Sequence, residues 1–249
     1  MYSPHLAPST RNEMPPSLGL AGGSPTLNGL FAPHAADMLE PGEALFWEGD
    51  RAGHVFHVLE GCLRLYRVLP DGRRAVMGFV FAGEFLGLSL PGSYIYTAEA
   101  VTTVRVRRLS RSRFLAAVDE TPELRPQLLA RMCEEMSAAH QHLVVLGQLR
   151  AEERVISFLL SAARRTGADR RRPVAVELPM SRLDIADYLG LTIETVCRTI
   201  SKLKRGGLIA LEGRHILVLK RLDRLKELAG LTDDIEDGHA ELGRAAWAN

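Results

Sequence analysis

Apolar residues change their spacing along the chain. From Pro41 onward they come in short runs: Ala44–Trp47, His54–Leu59, Cys62–Val68, Ala75–Phe81 and Ala98–Arg108. Turn signals separate them at Gly49-Asp50, Gly61, Pro70-Asp71-Gly72, Gly83 and Pro91-Gly92. Five or more short β-like runs at this spacing predict a small antiparallel barrel or sandwich. The spacing then turns helical. Leu129, Met132, Met136, Ala139, Leu143 and Leu146 follow alternating steps of three and four, the heptad seam of a two-helix interface. A helix packed on its own barrel would widen this stripe with e or g positions. The flanks instead hold Arg131, Glu134, Glu135, Gln141 and Gln148, so the seam predicts self-association into a homodimer. A second helix, Glu152 to Arg164, carries Val155, Ile156, Phe158, Leu159 and Leu160.

The stretch from Ser181 to Gly207 reads as two short helices joined by a tight turn. Ser181 can N-cap the first, with Asp184 near the positive end of its dipole. Leu183, Ile185, Ala186 and Leu189 supply an apolar face. Gly190 allows the sharp turn. Thr192 can N-cap the second helix, where Val196, Ile200 and Leu203 recur at i, i+4, i+7 and Gly206-Gly207 mark the end. Leu208–Leu211, Gly213 and His215–Leu219 then read as a two-stranded wing, and a last helix spans about Leu222–Ala229.

The open face of the second helix carries Glu194, Cys197, Arg198, Ser201, Lys202 and Arg205. A recognition helix sets its N-terminal residues on base edges and its cations on phosphates. Arg198 can grip guanine O6 and N7, and Glu194 can accept from cytosine N4. Standing at i and i+4, they share one face. The same spacing also suits a simple surface ion pair, but turn, caps, core face and basic run agree on the first reading. Base-reading candidates are therefore Ile193, Glu194, Cys197 and Arg198. Phosphate candidates are Thr192, Thr195, Ser201, Lys202, Arg205 and Arg182, and the partner is double-stranded DNA.

Charge placement supports this. The net charge is only +1, yet Arg164 to Lys226 holds 15 Lys and Arg against 7 Asp and Glu. From Glu227 to Asn249 the balance reverses, 1 against 6. A basic block in a near-neutral chain is the footprint of a nucleic-acid module. Cys62, Cys133 and Cys197 are odd in number and widely spaced, which argues against a disulfide framework and against zinc or iron–sulfur spacing. The start lacks the pattern of a secretory signal, and no run reaches the roughly 18 apolar residues of a membrane span. The expected compartment is the cytoplasm, with no membrane partner. Neither a G-x-S-x-G nor a G-x-x-x-x-G-K-[ST] motif occurs, and no catalytic residue is predicted.

The expected fold is α+β: an N-terminal antiparallel β-barrel, a long dimerisation helix and a C-terminal winged helix-turn-helix. The divisions are a disordered Pro-rich extension over 1–36, the barrel over 37–122, the dimer helix over 123–148, the DNA-binding domain over 149–229 and an acidic tail over 230–249.

This layout resembles the CRP/FNR superfamily of bacterial transcription regulators over roughly residues 38–229. Leu178-Pro-Met-Ser-Arg-Leu-Asp-Ile-Ala-Asp-Tyr-Leu-Gly-Leu-Thr-Ile-Glu-Thr-Val196 is most similar to the FixK branch. Ala151-Glu-Glu-Arg-Val-Ile-Ser-Phe-Leu-Leu160 resembles the helix after the dimer helix, and Gly83-Glu-Phe-Leu-Gly87 the Gly-rich turn before the effector pocket. The resemblance implies that Glu194 and Arg198 read a TTGA-type half-site, two subunits reading a palindrome. Ile193 stands where the cyclic-AMP receptor has an extra Arg, which favours the TTGA type. Cys197 stands where FixK-type and FNR-type proteins usually have Ser. The resemblance further implies an activator in a low-oxygen or nitrogen-fixation regulon, with RNA polymerase as partner and the exposed stretch Thr166–Arg172 as a contact suggested by position.

Cyclic-nucleotide binding in that family needs an anion-holding Arg and a ribose-binding acid. Here the acid position falls at Leu88, and no Arg or Lys lies between Gly83 and Thr103. The N-terminal cysteines of an FNR-type cluster are also missing before Cys62. No cofactor, metal or cyclic-nucleotide effector is expected. The alternatives are a haem-sensing relative using His54, His57 or Cys62, and a cupin-like metalloenzyme using His54, His57 and Glu60. Metal ligands on a strand should share a face at i, i+2 spacing, and His54 and His57 are three apart. Cys197 is also a redox candidate, since oxidation would place polar or anionic oxygens at a phosphate-lined groove.

Overall fold

The computed structural model describes residues 24–88, 92–165, 173–213 and 215–230. Among the described residues eight strands form the N-terminal part: β1 (Ala36–Leu39), β2 (Ala44–Phe46), β3 (His54–Glu60), β4 (Cys62–Val68), β5 (Arg74–Phe81), β6 (Phe85–Leu86), β7 (Thr97–Ala100) and β8 (Val104–Ser110). They build two antiparallel sheets, ordered β1-β8-β3-β6 and β2-β7-β4-β5. This is a roll and not the closed barrel of the sequence reading, because no strand is shared between the sheets and each keeps two edges. The apolar run Ala98–Arg108 is broken after Ala100, and its halves enter different sheets as β7 and β8.

Leu39, Phe46, Phe56, Val58, Leu63, Val80, Leu86, Tyr94, Tyr96 and Val106 fill the space between the sheets. β4 is buried on both faces. Its Leu63 points into the roll, while Cys62 and Tyr66 join a second core made with the C-terminal helices. Edge strand β5 is covered in the same way by a helix of that module, which leaves less free edge for unwanted pairing.

The expected disorder does not reach residue 36. Helix α1 (Leu27–Phe31) is capped by Thr26, whose hydroxyl accepts from Gly29 N at 3.1 Å. Leu27, Leu30 and Phe31 bury against Val55, Leu109, Phe114, Val118 and Leu124. Gln127 ties this segment down, accepting from Leu27 N at 3.1 Å and donating to Pro25 O at 2.8 Å. Residues 1–23 and the acidic residues 231–249 lie outside the described residues, as do Thr166–Arg172.

A short helix α2 (Arg111–Glu120), within the span read as barrel, leads to α3 (Leu124–Gln148). At 25 residues α3 is about 37 Å long. Then come α4 (Ala151–Arg165), β9 (Val174–Glu177), α5 (Arg182–Leu189), α6 (Ile193–Arg205), β10 (Ile209–Glu212), β11 (Ile216–Leu219) and α7 (Leu222–Leu228). The wing is a three-stranded sheet, β10-β11-β9, one strand more than expected. Among the described residues no helix is long and apolar enough to cross a membrane.

Candidate nucleic-acid interface

Local chemistry sets the α5–α6 pair. Ser181 and Asp184 form a capping box: Ser181 Oγ accepts from Asp184 N, and the Asp184 carboxylate accepts from Ser181 N, each at 3.0 Å. Gly190 ends α5 at φ +62°, in the left-handed region where a side chain would be strained. Thr192 Oγ1 accepts from Thr195 N at 3.3 Å and starts α6. Val196, Ile200 and Leu203 are buried against Ile185, Ala186, Leu189, Val155, Ile156 and Leu159, so α6 is held rigidly on α5 and α4. Leu183 departs from the sequence reading. It is 49% exposed, and the inward face of α5 is Asp184, Ile185, Ala186 and Leu189.

The opposite face of α6 is open. Ile193, Glu194, Cys197, Arg198, Ser201, Lys202 and Arg205 are all exposed, and Thr195 is half-buried. Among the described residues Glu194 and Arg198 are not bonded to each other, so both are available to a ligand. Lys202 differs: its ammonium pairs with Glu152 of α4 at 2.6 Å. Arg182 is half-buried at the start of α5. Burial pushes its guanidinium below the ordinary arginine value, and the nearby Cys197 sulfur opposes that.

Three features that place this interface escaped the sequence reading. Arg154 donates to the carbonyls of Leu146, Leu149 and Leu189, at 2.7, 2.9 and 3.1 Å. It thereby braces the α3–α4 corner and the end of α5, where carbonyls are otherwise unsatisfied. Tyr188 of α5 stacks on His142 of α3, with ring centroids 4.0 Å apart and planes 8° apart, and packs edge-on to Phe79 and Phe158. Finally, Arg64 and Arg74 of the roll reach across to α5. Arg64 pairs with Asp184 at 2.9 Å; Arg74 pairs with Asp184 at 2.7 Å and Asp187 at 3.0 Å. A capping Asp is an ordinary sequence signal. That it also faces a strand 110 residues away is not.

The heptad seam is an exposed stripe over most of its length. Leu129, Met132, Met136, Ala139 and Leu143 face solvent. Leu146 is half-buried beside Gly190 of its own chain, so the stripe narrows at its C-terminal end.

The residues weighed as metal or haem ligands do not converge. His54 is exposed and His57 is buried, stacked on Phe85. Glu60 pairs with Arg105, and Cys62 is 1% exposed, its thiol pushed up to about 12 by burial. Among the described residues no group of three or more His, Cys, Asp or Glu could hold a metal ion.

The chain matches two domain families, the Crp-like helix-turn-helix domain over residues 153–228 and the cyclic nucleotide-binding domain over 37–121. It is 45% identical over 170 residues to the nitrogen fixation regulation protein FixK of Bradyrhizobium diazoefficiens, covering 68% of this chain and 72% of that one. The chain belongs to the CRP/FNR family of transcription regulators, in its FixK-type branch. The chain is also similar to the transcriptional activatory protein AadR of Rhodopseudomonas palustris, 42% identical over 74% of this chain and 78% of AadR. The solved structure of FixK2 from Bradyrhizobium japonicum superposes with a TM-score of 0.72 at 35% identity, covering 78% of this chain and 96% of FixK2. This FixK-type chain is a DNA-binding regulator and not an enzyme, which sets the cupin alternative aside.

Proposed function

We propose that the protein is a homodimeric activator that reads a TTGA-type palindrome and needs no cyclic-nucleotide effector. The observation that carries this is the exposed pair Glu194 and Arg198, one turn apart on a helix whose other face is locked into a core. Bound in a major groove, such a helix presents an acceptor and a bidentate donor to neighbouring base pairs. The exposed apolar stripe of α3 supports the dimer, since a solvated row of Leu and Met gains by pairing with its own copy. Two copies of α6 then read the two arms of a palindrome.

Effector independence is supported by what fills the roll. Phe46 stacks on Tyr94 with centroids 3.7 Å apart, and Phe56 and Tyr96 close around the pair. These rings occupy the interior with apolar surface, and neither Arg nor Lys lies between Gly83 and Thr103 to hold a phosphate. An unpaired anion there would be costly. The names of the FixK relatives support a nitrogen-fixation type of regulon for this chain, and RNA polymerase is the partner that activation requires. Selection of binding sites from random duplexes by the purified protein tests the whole reading. The expected product is a palindrome with TTGA-type arms, unchanged by cyclic AMP or cyclic GMP. Recovery of single, unpaired sites, or saturable micromolar binding of either nucleotide coupled to tighter DNA binding, would overturn it.

A further inference from the structure

The roll and the DNA-reading head meet at a polar clamp for which base reading alone gives no reason. β4 and β5 present Arg64 and Arg74 to the Tyr66 ring, their guanidiniums 5.7 and 5.6 Å from its centroid. Arg64 also pairs with Glu99, whose other oxygen accepts from the Tyr66 hydroxyl at 2.9 Å. The guanidiniums are thus held in place before they reach α5. There they close on Asp184 and Asp187. Asp184 is the residue that caps α5 through Ser181, and its side chain is 3% exposed. Burial of that carboxyl works against its charge. The Ser181 hydrogen bonds and the two guanidiniums outweigh it and hold the group below the usual carboxylate range. A charge buried this far is fixed in position, because leaving its partners is costly.

The clamp grips α5 at the buried Asp184 and at Asp187, and uses none of the exposed residues Glu194, Cys197, Arg198 and Arg205 of α6. Only Gly190, Leu191 and Thr192 join the two helices, and α6 is packed on α5. Fixing α5 therefore fixes α6 while its reading face stays open. The covalent link from α3 to the head is short, Leu149 and Arg150, and Arg154 and the His142–Tyr188 stack brace it on the α3 side; the clamp adds a hold from the roll side. We propose that Arg64 and Arg74 are positioning residues that hold the recognition helix at the angle two half-sites require.

The proposal rests on the reading of a two-headed dimer, and its test separates the two. Bivalent binding multiplies affinity by about 10²–10⁴ only when both heads can engage together. A single half-site asks nothing of orientation between heads. Dimeric parent protein and the Arg64→Ala/Arg74→Ala variant are titrated against a palindromic duplex and a duplex with one arm scrambled. We expect the variant to lose about tenfold or more on the palindrome and to bind the half-site within about twofold of the parent. Asp187→Ala, which leaves the buried carboxyl and the cap intact, should show a smaller loss of the same pattern. Unchanged palindrome affinity, equal loss on both duplexes, or tighter palindrome binding would each overturn the clamp. A parent protein that binds both duplexes alike would overturn the two-headed reading and the clamp with it.

Discussion

Arg198→Ala is the sharpest test of base reading. Arg198 is exposed, sits one turn beyond Glu194 and has no hydrogen-bond or ion-pair partner among the described residues, so its removal should leave the fold intact. A bidentate guanine contact is worth about 1–3 kcal/mol of discrimination. A dimer makes it twice, so about 2–6 kcal/mol is at stake, or about thirtyfold to twenty-thousandfold in specific affinity. Weak, salt-sensitive binding to any sequence should survive, because phosphate contacts supply it. Arg205→Ala should behave differently, weakening all duplexes alike and flattening the plot of log affinity against log salt by about 1.8 for two lost contacts. Lys202→Ala should do less than Arg205→Ala. Lys202 is already paired with Glu152, and an exposed pair worth about 0.2–1 kcal/mol must be shared before a phosphate can take the ammonium. The assay is fluorescence anisotropy on palindromic and scrambled duplexes over a salt series. If Arg198→Ala kept the parent's preference for the palindrome, the residue would not be reading bases.

Met136→Glu should be largely monomeric by sedimentation at micromolar concentration and should lose palindrome binding, since pairing would bury a lone carboxylate; a dimer of parental affinity would show that the α3 stripe serves another purpose. Mild peroxide should lower DNA affinity in the parent and not in Cys197→Ser, because Cys197 is exposed on the reading face beside Arg182, and reductant should restore only the sulfenic form. Equal sensitivity in both proteins would move the effect to another residue. Burial lowers the folded values of His57 and His142, so the unfolded chain binds these protons more readily. Their contribution is full above about pH 6.5 and is lost as pH falls further. The thermal midpoint should drop on acidification to about pH 5.5. His142→Phe, which keeps a ring against Tyr188, should drop less, and a midpoint that rises on acidification would contradict the assignment.

What could be read in advance follows the range of the forces involved. Ser181, Asp184, Gly190, Thr192 and the Val196–Ile200–Leu203 stripe act within a few residues of one another, so spacing alone disclosed the helix pair and its open face. The runs that became β3, β4 and β5 were visible for the same reason. Closure of the sheets was not. Pairing of β1 with β8 joins segments some 70 residues apart, and local periodicity says nothing about which strands meet. α1 was hidden by the Pro-rich stretch before it; it stands because Thr26 caps it and Gln127, 100 residues away, holds it. Arg64, Arg74 and Arg154 carry no local signal that sets them apart from other arginines. Their roles depend on carboxylates and carbonyls supplied from other elements, which no window of sequence contains.

A sheet clad on both sides has a consequence for inheritance. The outward residues of β4 and β5, Cys62, Tyr66, Val76 and Phe79, lie in one continuous core with Val155, Ile185 and Leu203 of the reading head. Sensing scaffolds and reading heads are often pictured as interchangeable parts, shuffled between genes. Here the joint is sealed. A head transplanted onto a foreign roll would leave an oily face without its cover, and a roll deprived of its head would expose the reverse of its own sheet. Change on one side of that seam calls for an answering change on the other, so the two halves should drift through evolution in step.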